Sequence, residues 1–550
     1  MRPWFVATVL LAFAGSTSPA QEMTPPRVTS VEVDWSPALR TLSEIAELKP
    51  PAGAKPEPDG PVPSALGTLN AIMERRFPGL AASPAPVLLP FDTAALMRDL
   101  AAGTAAESND RYLSGFHARA FFFAGPSGYD AAFGIRVNDV PELADIRFAD
   151  PIDVHMSGST LHYELDPPPP ANGTPVADLE DDFPGIRRIL HEHHVRYTFV
   201  RHGVPYVVSV NCFDAGISRY RLPTCRTADT IIARFLRALR VTGGTPLPPR
   251  TIEARAIERP QELSPNFTYH PPGKLLSSTG ARGQSGRQDR TVYAPIRFPL
   301  ADTPAYANSQ LFQSRNRPPA DQPQASPNYS YPWRDNFCER RGFPVGQCPA
   351  GIGHQGQDLR PAPCSPQPCQ RHHNLVAVRD GAILRMPKQE AVYLVVNTAT
   401  EHLRFRYLHM SPRKMDEDNV LSGRLVREGE VIGQVSNYSR KEGGTSYHLH
   451  FDVQVPTRTG WVFVNPYMTL VSAYERLLGS RGAEIGEPAL AAAADAETPG
   501  AESSKPRRIG ARFAFKHKAG RHHKYSRHKL SRHHKYSKYS KRKRHRLARY

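Results

Sequence analysis

At 550 residues, 40% of them apolar and 22% charged, the chain is too long for a single ordinary core and too apolar to be disordered throughout, so it calls for several folded domains. The net charge of +18 suggests nucleic acid at first, but 19 of the 70 Lys and Arg lie between Lys505 and Tyr550 with no acidic residue among them, leaving 51 basic against 52 acidic residues elsewhere. A basic, nucleic-acid-binding body is thereby excluded, and the excess charge belongs to a tail.

The N-terminus carries Arg2, the apolar run "WFVATVLLAFAG" and then "STSPA", with Ser18 and Ala20 placed for a cut before Gln21. This is the three-part pattern of a secretory signal peptide over 1–20, too short and wrongly flanked for a membrane span. No later stretch is apolar enough to cross a bilayer, so the expected product is exported, to the periplasm or cell envelope or beyond, with no transmembrane segment. Export also changes the reading of the six cysteines. An even number in an oxidising compartment favours disulfides over thiolate metal ligation. Their spacing suggests Cys212–Cys225, Cys338–Cys348 and Cys364–Cys369, although the last four allow other pairings.

Residues 21–60, rich in Pro, Ala and Glu, read as a flexible leader. From 61 to 244 helical and strand patterns alternate, predicting an α+β domain of unknown role. "PVLLPFDTAALMRDLAAG" runs into a helix with Asp92 or Thr93 as its cap, and "ARAFFFAG", "TFVRHG" and "PYVVSVNCF" read as strands. "TADTIIARFLRALRVTGG" reads as an amphipathic helix stopped by Gly243 and Gly244. "HEHHV" there resembles the zinc-protease motif HExxH but has Val195 where the second histidine is required, and it reads as a polar helix end beside a turn. Residues 245–289 read as a linker. From 290 to 475 short strands such as "GAILRM", "AVYLVVNT", "LRFRYLHM" and "YHLHFDVQV" predict an all-β domain with antiparallel sheets. Residues 476–550, Ala-rich and then Lys/Arg/His-rich with "RHHKYS" twice, read as a disordered tail.

The chemistry concentrates in the β domain. "GHQGQD" places His354 and Asp358 four apart in a glycine-flanked loop, "FRYLHM" puts His409 at a strand end, and "YHLHF" sets His448 and His450 on one strand face. Together they supply the nitrogen and oxygen ligands zinc prefers. A catalytic zinc uses three protein ligands, which leaves two residues for proton transfer and oxyanion stabilisation. Spacing alone does not say whether one or both members of the HxH pair bind metal.

"HQGQD", "YLHM" and "HLHF", in that order, resemble the lysostaphin-type (LytM-like) zinc endopeptidases that cut peptidoglycan cross-bridges. "AVRDGAI", "VREGEVIGQV" and "VNPYMTL" are similar to framework elements of that family. The resemblance covers roughly 351–470, about a fifth of the chain. It implies one zinc held by His354, Asp358 and His450, with His409 and His448 acting on the metal's water and the tetrahedral intermediate. Which of those two is the base stays open. Asp380 in "RDG" reads as a turn residue instead. The chain departs from the family at Tyr447, where proline is frequent, and in the insert "RPAPCSPQPCQRHHN", whose His372 and His373 read as loop histidines. The implied function is an exported zinc metalloendopeptidase hydrolysing peptidoglycan peptide cross-links. The alternatives are a catalytically silent activator of other wall hydrolases, or a zinc endopeptidase acting on protein or glycine-rich substrates. The basic tail suggests anionic envelope polymers or lipids as a partner, not nucleic acid.

Overall fold

Strand-period runs in both halves of the chain build two antiparallel sheets, each with its own hydrophobic core. The computed structural model describes residues 22–44, 64–135, 152–168, 173–191, 194–212, 223–309, 329–362 and 373–486. The expected signal peptide, the Cys364–Cys369 pair, His372 and the basic tail lie outside the described residues.

The N-terminal sheet has seven strands, ordered Phe116–Gly125, Gly128–Ile135, Ile152–Ser159, Val204–Asn211, His194–Arg201, Arg187–His191 and Thr174–Pro175. Gly128–Ile135 and Ile152–Ser159 are buried along their whole length, the signature of a sheet covered on both faces. One cover is the amphipathic helix Cys225–Ala238, which sinks Ile231, Ile232, Phe235 and Leu236 into the first core. Helix Thr93–Ala101 begins as expected, with the Asp92 carboxylate accepting the Ala95 N–H at 2.9 Å. A cap of this kind contributes about 1 kcal/mol.

The C-terminal sheet runs Ala305–Ala307, Gln357–Pro361, Leu449–Thr457, His402–Leu408, Val392–Asn397, Gly381–Leu384 and Leu425–Val426, with Gly460–Val464 paired to the far end of Leu449–Thr457. Leu403, Phe405 and Tyr407 on one strand and Leu449, Phe451, Val453 and Val455 on its neighbour fill the second core. Trp333 packs there between Phe267, Phe298 and Tyr474 and donates its indole N–H to the Ala305 carbonyl. The other face of the same two strands is polar, and it is also buried, because the N-terminal sheet covers it. His402 Nε2 meets Asp130 Oδ2 at 2.9 Å, and Arg404 Nε donates to Asp130 Oδ1 at 3.0 Å. Removing one partner of such a buried charge cluster costs about 3–5 kcal/mol. The described residues accordingly belong to one compact unit.

Several expectations are corrected. Within the supposed leader, Arg27–Ser30 pairs with Leu161–Glu164, and Trp35 with Ala38 and Leu42 of the helix Ser36–Glu44 that follows it are buried in the first core; a few apolar anchors outweigh the proline-rich composition. The helix expected to run to Gly243 ends at Ala238, because Arg240–Gly243, with β-branched Val241 and Thr242, pairs with Val87–Leu89. The described residues of "HEHHV" lie on paired antiparallel strands, not at a helix end, with His191 opposite His194. The supposed linker contains Leu263–Tyr269, which pairs in parallel with Arg481–Glu484 and buries Phe267 and Tyr269 in the second core. Ordered structure therefore passes 475, and helix Tyr467–Leu478 together with Pro412–Glu417 makes the C-terminal half β-rich rather than all-β. Disulfides Cys212–Cys225 and Cys338–Cys348 are present. Among the described residues no helix is long and apolar enough to cross a membrane.

Candidate metal centre

Strand pairing assembles the site. Asp358 on Gln357–Pro361 lies directly opposite His450 on Leu449–Thr457, so the two side chains share a face. His448, two residues before His450, shares that face by alternation. On the other edge of the central strand Leu408 is opposite His450, and the next residue, His409, would by alternation point into the core. Its backbone instead adopts φ 71°, which swings the imidazole back; its ring centroid lies 4.9 Å from that of His448. A left-handed conformation at a non-glycine residue is uncommon and strained.

His354 comes from a loop pressed between two backbones. A Cβ on Gly353 would fall 2.7 Å from Cys338 Cα, and one on Gly356 would fall 2.4 Å from the Phe451 carbonyl and 2.9 Å from His450 Nε2. Glycine is required at both positions for this close approach. The His354 N–H donates to the Glu339 carbonyl, and the His354 carbonyl accepts from the Cys338 N–H. The Cys338–Cys348 disulfide thus closes the loop against which His354 is fastened.

The ring nitrogens are oriented by what lies behind them. His354 Nδ1 donates to the Asn336 carbonyl at 3.0 Å, His448 Nδ1 to the Ser446 carbonyl at 2.7 Å, and His409 Nδ1 to the Tyr438 carbonyl at 3.0 Å. In each neutral imidazole the lone pair is therefore on Nε2. His354 Nε2 lies 3.4 Å, His448 Nε2 3.5 Å and His450 Nδ1 3.3 Å from one atom, Asp358 Oδ1. Burial lowers the basicity of His354, and drives His448 down to about 4 and His409 well below the usual histidine range. Burial works against ionisation of Asp358, yet His354 and His448 hold its carboxyl well below the usual range. The Nε2 atoms of His354 and His448 and the Asp358 carboxylate are thus turned toward one another, a donor set that a cation would satisfy. At His450 burial is outweighed by Asp358 and Asp452, which raise it to about 9.

The donor set fits zinc. His354, Asp358 and His450 are the described residues whose ligand atoms all lie within 4.8 Å of one another. The two Asp358 contacts of 3.3 and 3.4 Å match the edge of a tetrahedron with bonds of about 2.0–2.1 Å. Asp358 Oδ2, fully buried, has no hydrogen-bond partner. No unpaired carboxylate oxygen would be held there cheaply without a cation.

All five predicted residues are therefore neighbours. Asp380 accepts the Glu428 N–H at 2.7 Å as a turn residue, and His373 stands beside the Tyr447 ring, 6.4 Å between centroids. Sequence reasoning missed Asn336 and Asp452. Asn336 fixes both of the first two candidate ligands, accepting from His354 through its carbonyl and from the Asp358 N–H through Oδ1. Nothing in its surroundings in the sequence announces this. Asp452 Oδ2 stands 3.4 Å from His450 Nε2, and it was readable as the next member of the series His448, His450, Asp452 on one strand face.

Comparison with known proteins adds little. No family model matches the chain, and no curated protein matches it. Among solved structures it is similar to a putative glycyl-glycine endopeptidase lytM from Ruminococcus gnavus, at 15% identity over 34% of this chain and 62% of that one, with a TM-score of 0.20. It is also similar to Helicobacter pylori Csd3, at 20% identity over 23% of this chain and 32% of that one, with a TM-score of 0.14. The chain thus spans less than two thirds of either, and TM-scores this low carry no argument; the functional reading rests on the site.

Proposed function

We propose that the chain is an exported zinc metalloendopeptidase that hydrolyses peptide cross-links of peptidoglycan. The observation that carries the reading is the approach of three imidazole nitrogens to Asp358 Oδ1 at 3.3–3.5 Å, with His409 alongside. The motif resemblance supplies the substrate class. His354 Nε2, Asp358 and His450 Nδ1 would hold the metal, which supplies an acidified water and a Lewis acid for the scissile carbonyl. His448 Nε2, neutral and fixed through its Nδ1 hydrogen bond, is placed to take the attacking water's proton and hand it to the leaving amine. His409, fixed the same way by the Tyr438 carbonyl, stands beside His448 with Nε2 free to share in that proton transfer. The basic tail holds the enzyme on anionic envelope polymers or lipids.

The test uses the purified full chain. It should hold about one zinc per chain and release peptide fragments from isolated sacculi, identified by mass spectrometry. Zinc without cleavage of any sacculus would point to a silent activator, and cleavage confined to glycine-rich protein would point to a different substrate; either result overturns the proposal.

A further inference from the structure

The polar face of the central strand does not stop at the metal centre. Beyond His448 and His450 it continues through Asp452 and Gln454, and all four are buried. Gln454 Nε2 donates to Asp452 Oδ1 at 3.1 Å, while Gln454 Oε1 accepts from Arg196 Nη2 at 2.7 Å. Since the guanidinium can only donate, the amide has a single orientation, with its N–H aimed at Asp452. Asp452 Oδ2 in turn faces His450 Nε2 at 3.4 Å and accepts from Arg406 Nε. Hydrogen bonds therefore run from Arg196, on the N-terminal strand His194–Arg201, through Gln454 to Asp452, whose carboxylate stands in 3.4 Å ion-pair contact with the ring of a proposed metal ligand.

Arg196 is an expensive residue to keep there. It is 2% exposed, its second contact is the Trp461 carbonyl at 3.3 Å, and its guanidinium lies over the Phe463 ring at 5.5 Å. Burial beside Arg404 lowers it to about 10, and Gln454 stands between it and the Asp452 charge. A buried cation bonded to an amide rather than a carboxylate is poor design for stability alone. The same hairpin also touches the other ligand-bearing segment, since Gln355, next to His354, donates from Nε2 to His191 Nδ1 at 3.0 Å. Both metal-bearing segments thus rest on residues of one N-terminal hairpin, Arg187–His191 with His194–Arg201.

We propose that Arg196, acting through Gln454 and Asp452, is a positioning residue for His450, so that the N-terminal domain is a working part of the metal site and not only an appendage. The inference rests on the metal-centre reading above. With Arg196 in place the Gln454 amide fixes Asp452, and the Asp452 charge beside Nε2 favours the ring orientation in which Nδ1 faces Asp358 and would be available to a metal. Without it the amide is free to turn, and His450 loses one of the two anchors of its outer nitrogen's partner. Groups supporting a metal ligand typically matter by about 10–100-fold in metal affinity; the more distant Arg196 is expected at the lower end.

The experiment is a double-mutant cycle read as zinc affinity, measured on the full chain by competition with a chromophoric chelator. Arg196→Met and Gln454→Met should each weaken zinc binding about tenfold, and the double variant should weaken it no further, since both cut the same chain. Arg196→Lys, which can still donate to Gln454, should recover most of the loss. Losses that multiply in the double variant, or affinities within twofold of the parent, overturn the proposal. Should Arg196→Met fail to fold, Gln454→Met decides alone on the same thresholds. A parent that binds zinc no better than its His450→Ala variant would instead defeat the metal-centre reading, so the two failures are distinguishable.

Discussion

Among the described residues two groups of histidines are buried, and in one of them three rings converge on a single carboxylate. In the C-terminal half, His354, His448 and His450 approach Asp358 Oδ1 within 3.3–3.5 Å. In the N-terminal half, His155 and His194 line a small cavity beside Arg196 and Arg404, and the acid acting on His155, Asp130, is bound to His402 and Arg404. Burial treats both groups alike, driving His155 down to about 3 and His448 to about 4. A neutral imidazole is a potential ligand in either place. What separates them is convergence: among the described residues, only His354, Asp358 and His450 bring three ligand atoms within 4.8 Å of one another. Histidine density therefore says little about a metal site, and the convergence of ligand atoms on one point says much.

The sharpest way to break this comparison is within the C-terminal group. His450→Ala should weaken zinc binding by about 1,000-fold or more and abolish cleavage, whereas His448→Ala should keep zinc while turnover falls by about 10²–10⁴. Zinc titration and sacculus digestion check both, and equal zinc loss from the two variants would end the proposed division of labour. A smaller effect distinguishes the N-terminal group. His155 and His162 have folded-state pKa values depressed to about 3 and about 4, mainly by burial. The unfolded chain therefore binds more protons below pH ~6.5, and stability should fall as pH drops from there to about 4, by up to about 1.4 kcal/mol per pH unit for each histidine. Denaturant unfolding at pH 7, 6 and 5 measures the slope. His155→Gln should make it shallower and leave zinc content at pH 7 unchanged; a loss of zinc would mean that the two groups are not distinct.

The residues of the candidate metal centre were legible because their spacing is local: HxGxD where a loop enters a strand, HxH on one strand, and a histidine ending another. The burial of the polar strand faces was not. In "EHLRFRYLHM" alternation separates Leu403, Phe405 and Tyr407 from His402, Arg404 and Arg406, but it does not say whether the polar set meets water or a second sheet. The partner that decides, Asp130, lies 272 residues from His402. The packed leader and linker escaped for a related reason. Trp35, Leu42 and Phe267 are isolated anchors in proline-rich sequence, and a single anchor produces no periodicity to read.

The left-handed backbone at His409 has a consequence for how this protein trades robustness against chemistry. Holding a histidine at φ 71° costs on the order of 1 kcal/mol that asparagine, which tolerates this conformation, would largely avoid. His409→Asn should therefore give a chain that melts slightly higher, retains its zinc and cleaves nothing. A sequence selected only to fold would already carry the asparagine.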